Sequence, residues 1–97
     1  MMNIKLHPKA EDDLKEALDY YVSINEALKR KFIDDLDVTF SKIGQFPKLY
    51  PHETPTTQKV LLYKFPYIII YEHYQNDIMI IAIFHTKRNP NILKIRE

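Results

Sequence analysis

The chain has 97 residues, 14 Lys+Arg against 13 Asp+Glu, a formal net charge of +1, 45% hydrophobic residues and 28% charged ones. That length gives room for one domain, 1–97, built as two layers around one core, and that balance excludes an intrinsically disordered chain. One glycine and no cysteine exclude a glycine-rich phosphate loop, a disulfide scaffold, a thiolate metal site and a cysteine nucleophile.

Asn3 to Leu6 is short enough for an edge strand. Pro8 suits the first position of a helix, and Glu11, Asp12 and Asp13 put negative charge on the positive end of its dipole. Leu14, Ala17, Leu18 and Tyr21 then recur at steps of three and four, which makes one apolar stripe. Ser23-Ile24-Asn25-Glu26 has the form of a capping box, with Asn25 a second candidate cap, so a second helix starts there. Its stripe is Leu28, Phe32, Leu36, Phe40 or Thr39, and Ile43; Gly44 weakens the helix and Pro47 cannot continue it.

Lys48 to Thr57, with Pro51 and Pro55, reads as a connecting loop. Three runs rich in Ile, Val, Tyr and Phe follow, Lys59 to Phe65, Tyr67 to Tyr74 and Ile78 to His85. Pro66 separates the first two, and Gln75-Asn76-Asp77 turns the chain between the second and third. Ile78 to Phe84 is apolar on both faces, which puts that strand inside the sheet rather than at its rim. The order is β-α-α-β-β-β, an α+β fold in which a helical hairpin covers one face of a small, mainly antiparallel sheet. The basic tail His85-Thr86-Lys87-Arg88-Asn89-Pro90 leaves the end of the most buried strand, a place where a rigid scaffold aims functional groups. No apolar run approaches the roughly 18 residues of a membrane span. Residues Met1 to Pro8 lack a run of signal-peptide length. The expectation is a soluble, cytoplasmic protein with no membrane contact.

Charge is unevenly placed. Between Glu11 and Asp37 nine acids face four bases, whereas from Val38 to Glu97 eight bases face four acids. Such a dipolar chain is built either for a charged partner at one pole or with two simply solvated faces.

Several motifs resemble the RelE/ParE superfamily of type II toxins, the stable halves of bacterial toxin–antitoxin pairs. They are Ala10…Asp13-Leu14 opening the first helix, Phe46-Pro47 closing the second, and Leu62-Tyr63-Lys64-Phe65-Pro66-Tyr67 followed by Tyr71. The last is Ala82-Ile83-Phe84-His85-Thr86-Lys87-Arg88-Asn89-Pro90. The final two are like the "FPY…Y" and "A-x-x-H-x-x-R-x-P" patterns of ParE-type, or plasmid-stabilisation, members. The resemblance implies a curved sheet, a cognate antitoxin that wraps the toxin by strand addition or by a helix laid in a groove, and no cofactor. It also implies one of two targets: DNA gyrase for ParE-type members, messenger RNA in the ribosome for RelE-type ones. Where many relatives carry an arginine ahead of the FPY strand, this chain has Gln58 and Lys59, and Asn91 to Glu97 holds no acid/base group except Glu97.

Cutting RNA without a metal requires a base, an acid and cations for the phosphorane. The candidates are His85, Arg88 and Lys59 as the catalytic set. Alternation puts His85 on the face of Met79, Ile81 and Ile83, and a histidine there more often hydrogen-bonds the next turn as a half-buried structural residue. Binding to a target asks only for a surface, for which Lys59, Tyr63, Lys64, Lys87 and Arg88 are the candidates; Tyr63, sharing a face with Lys59 and Leu61, is the ring expected to be exposed for stacking. Tyr67 and Tyr71 share a face with Ile69 and belong to the core. His7, His52 and His73 show no metal-ligand spacing, so no metal site is expected. The reading favoured is a ParE-like gyrase inhibitor acting by binding. A ribosome-dependent endoribonuclease and a degenerate toxin that only binds its antitoxin are the alternatives, and a homodimer stays open.

Overall fold

Both helices lie on one face of a five-stranded sheet in the computed structural model, which describes residues 2–87. The elements are β1 (Asn3–Leu6), α1 (Pro8–Ile24), α2 (Glu26–Gln45), β2 (His52–Thr54), β3 (Thr57–Leu61), β4 (Tyr67–Tyr74) and β5 (Asp77–His85). The strand order is β1-β5-β4-β3-β2, antiparallel throughout except for the parallel β1–β5 pair. The most apolar strand, β5, is therefore interior and β1 is an edge, as the doubly apolar run of the one and the shortness of the other predict. Arg88 and the segment from Asn91 to Glu97 lie outside the described residues.

The helices follow from their caps and stripes. His7 caps α1, its Nδ1 accepting from the Lys9 N–H at 3.1 Å, with Pro8 in the first turn. One extended residue, Asn25, separates the helices, and its Oδ1 accepts from the Leu28 N–H at 2.8 Å. Asn25 rather than Ser23 is thus the cap; the Ser23 hydroxyl instead donates to the Tyr20 carbonyl at 2.6 Å. On α2 the buried face is Phe32, Leu36, Thr39 and Ile43, and Gly44 is a buried member of the helix rather than its terminator. Thr39 takes the fully buried position, its hydroxyl donating to the Asp35 carbonyl at 2.8 Å, and Phe40 packs half-buried against the same core.

Three features depart from the sequence reading. The segment 48–57 is not all loop, since His52–Thr54 forms β2, turned back on β3 by the Thr54 hydroxyl, which accepts from the Thr57 N–H at 3.1 Å. The next strand runs Thr57–Leu61 instead of reaching Phe65. Finally, β5 carries a bulge: Ile70 pairs with Ala82 and Tyr71 with Ile80, which leaves Ile81 as the extra residue. The bulge resets the alternation. Ile78, Ile80 and Ile83 face the helices, while Ala82 and Phe84 join Ile70 on the other face with Ile68 and Ile81. His85, opposite Tyr67, is consequently on the helix face with Ile83 and not with Met79 and Ile81.

The core beneath the helices joins Ala17, Tyr21, Phe32, Leu36 and Ile43 to Val60, Tyr67, Ile69, Tyr71, Ile78, Ile80 and Ile83. Tyr67 and Tyr71 are core residues, as expected from their shared face with Ile69. The connection after α2 is pinned to this core by polar bonds. Tyr71 donates to the Pro47 carbonyl at 2.7 Å, and the buried Gln58 amide donates to the carbonyls of Pro47 (2.8 Å) and Tyr50 (2.9 Å).

Burial first, and the neighbouring Tyr50 second, push the Tyr71 phenol up from 10.0 to about 12. The folded state therefore holds this proton more tightly than the unfolded chain does. The associated stability is complete below pH 10 and is lost as pH rises toward 12. Tyr71→Phe is expected to cost about 1 kcal/mol at neutral pH through the lost hydrogen bond. Urea titrations between pH 8 and about 12 should show the gap between wild type and variant shrinking above pH 10.

Candidate functional site

The β3–β4 connection is built by two residues that go in and two that come out. Leu62 is buried and Phe65 stacks edge-on to Tyr21 and Phe32, with ring centroids 5.0 and 5.3 Å apart, which turns Tyr63 and Lys64 to solvent. Tyr63 is 79% exposed. The turn closes with Leu62 N–H donating to the Tyr67 carbonyl (3.0 Å) and Tyr67 N–H to that of Phe65 (2.8 Å).

Three successive amides of this turn converge on one carboxylate. The N–H groups of Tyr63, Lys64 and Phe65 donate to Asp35 of α2 at 3.2, 2.8 and 3.0 Å. Consecutive backbone N–H groups aimed at one point form an anion-binding nest. Here the anion is part of the chain, and Asp35, only 5% exposed, has both oxygens hydrogen-bonded where it sits. It belongs to the scaffold rather than to an acidic pole.

The exit of β5 arrives at the same end of the sheet. Thr86 N–H donates to the Pro66 carbonyl at 2.9 Å, and Lys87 N–H donates to His85 Nδ1 at 3.1 Å. The His85 ring stands edge-on to Tyr67, centroids 5.3 Å apart, and lines a recess of about 100 Å³ with Asp13 and Glu16 of α1. This imidazole thus hydrogen-bonds the next turn. Tyr63, Lys64 and Lys87 are brought to one end of the sheet.

Lys59 is not brought there. It lies within β3, where the register Lys59↔Ile70↔Ala82 sets it on the face away from the helices, whereas His85 is on the helix face. Its Nζ is 3.0 Å from Glu53 Oε2 of β2. The expected set of Lys59, His85 and Arg88 is therefore divided, with Lys59 and His85 on opposite faces and Arg88 outside the described residues.

The sequence reading missed a stripe on α2. Lys31, Asp34, Val38 and Lys42 follow one another at three-, four- and four-residue spacing, so they share one side of the helix. With Asp35, Tyr63 and Lys64 they line a groove of about 330 Å³. The available signal was Val38, an apolar residue outside the core stripe of α2. A second groove, of about 570 Å³, runs along α1, with Leu6, Leu14, Leu18 and Val22 among charges of both signs. His52 and His73, far apart in the chain, line one cleft with Glu72, yet among the described residues no three ligating side chains are placed to hold a metal ion.

Residues 4–90 match the family described as the ParE toxin of type II toxin-antitoxin system, parDE. The protein named Toxin ParE2 of Mycobacterium tuberculosis, in strains CDC 1551 / Oshkosh and ATCC 25618 / H37Rv alike, is 27% identical over 92 residues, covering 94% of this chain and 88% of its own. Among solved structures, a chain of the chromosomal ParDE TA system from P. aeruginosa superimposes with a TM-score of 0.75 at 25% identity, covering 88% of this chain and 96% of that one. The chain belongs to the ParE toxin family of type II toxin–antitoxin systems.

Removing the carboxylate under the turn tests how this end of the sheet is held. Asp35→Ala leaves three N–H donors without their acceptor and is expected to cost at least ~3 kcal/mol. Asp35→Asn, with one acceptor oxygen instead of two, should lose less. Urea unfolding midpoints rank the three proteins, and amide exchange at Tyr63, Lys64 and Phe65 should rise in the same order.

Proposed function

We propose that this ParE-type toxin stops growth by binding DNA gyrase, in the cytoplasm, until a cognate antitoxin covers it. The observation that carries the reading is the contrast between its two sets of candidate residues. Acid–base cleavage needs its groups within reach of one phosphate. Lys59 and His85 occupy opposite faces of the sheet, Lys59 paired with Glu53 and the His85 Nδ1 engaged by the Lys87 N–H. Tyr63 and Lys64, on a turn held by Asp35, instead gather with Lys87, just past β5, at one end of the sheet, as a binding surface requires. Binding needs a stiff patch, since every side chain ordered on contact subtracts from affinity.

The antitoxin half of the proposal draws on the ParDE system of the P. aeruginosa relative and on the groove along α1. An apolar floor of Leu6, Leu14, Leu18 and Val22 with charges of both signs around it fits an amphipathic helix laid into a groove.

Expression from a tightly controlled promoter is expected to halt growth and induce the DNA-damage response, with gyrase co-purifying. The purified protein should inhibit supercoiling in vitro. Lys59→Ala and His85→Gln, checked for an unchanged melting temperature, should keep that effect. Rapid codon-linked loss of messenger RNA, abolished by the same two substitutions, would assign the ribosomal endoribonuclease instead. Uninterrupted growth would leave a chain that only binds its antitoxin.

A further inference from the structure

We infer that the groove between α2 and the β3–β4 turn is the target-gripping surface, and that it takes an acidic protein segment presenting one bulky apolar side chain. The inference rests on the binding reading above and names the chemistry of what is bound. Val38, 51% exposed, and Tyr63, 79% exposed, supply the apolar contact area. Lys31, Lys42 and Lys64 line the groove with them. Among the described residues none of these three has an ion-pair partner, whereas Lys29 and Lys59 are paired with Glu26 and Glu53.

The Asp35 carboxylate is buried with its oxygens engaged by three N–H donors, so it offers no acceptor to a ligand, and the lining sets three ammonium groups against two carboxylates. Asp34 is the exposed acid among the described residues that line the groove. A cationic groove thus sits within a helical hairpin that is otherwise rich in acids, and its electrostatic complement is an acidic segment. The α1 groove is different: Glu11 and Asp19 balance Lys15 and Lys29, so it does not select for charge.

A peptide fits this groove better than a nucleic acid strand. Strand binding uses a run of rings on which successive bases stack, and Tyr63 is the one ring lining the groove. Asp34 can accept an N–H from a peptide backbone, a donor that a phosphate backbone lacks.

The affinity of the full chain for purified DNA gyrase tests the inference. The proteins compared are wild type, the double variant Lys31→Glu/Lys42→Glu, Lys64→Glu and Tyr63→Ala, with thermal melts to confirm that each folds. Both charge reversals should weaken binding by about tenfold or more, Tyr63→Ala by several-fold, and wild-type affinity should fall as salt rises. Folded variants that bind gyrase like wild type would overturn the groove and leave the gyrase reading standing. A wild-type protein that does not bind gyrase would overturn both. Binding of a single-stranded RNA 12-mer in place of gyrase, lost on charge reversal, would turn the groove into a nucleic-acid site and overturn the protein-segment inference.

Discussion

One carboxylate holds the β3–β4 end of this molecule together. A buried ionised group is costly unless it is fully hydrogen-bonded, and Asp35 meets that requirement by collecting the amides of Tyr63, Lys64 and Phe65. Hydrogen bonds to charged groups contribute roughly 1.5–3 kcal/mol each, enough to fix the path of a five-residue connection that has no ladder of its own. With the backbone held, Phe65 is drawn into the ring cluster of Tyr21, Phe32 and Tyr67, and Tyr63 is turned outward. The scaffold contact and the exposed patch are two sides of one turn.

The other helix uses the same device. Asp13 of α1 accepts the N–H of Ile83 at 3.0 Å, just past the bulge in β5. A bulge disrupts the pairing of its strand, and a carboxylate from the covering helix supplies a partner there. Apolar burial supplies most of the attraction between the layers, but it is non-directional. The two aspartates give it direction, one fastening α1 to β5 and the other α2 to the β3–β4 turn.

This changes how the charge of the chain is read. Two of the nine acids between Glu11 and Asp37 are spent on internal donors, and Lys59, counted among the bases of the second half, is matched by Glu53 across the β2–β3 edge. What remains on the surface is more local than a simple acidic half and basic half. The lysines around Val38 and Tyr63 stand out because their neighbourhood is acidic, and a field of one sign is best focused where a concave wall gathers it.

Much of the architecture was already written in local patterns. Leu14, Ala17 and Tyr21 on α1 and Phe32, Leu36 and Ile43 on α2 mark their buried faces by spacing alone, and the doubly apolar run from Ile78 to Phe84 marks an interior strand. Family membership was legible too, in the FPY turn and the strand that ends at His85. The tertiary structure alone decided the rest. A three-residue strand such as His52–Thr54 has too few positions to show alternation. The extra residue at Ile81 is invisible until β4 is laid beside β5, and it alone moves Ile83 to the helix face. Asp35 looks like any solvated helix acid because the amides it binds lie 28 to 30 residues away. Periodicity reports which side of an element is buried, and partners that meet across the chain leave no period to read.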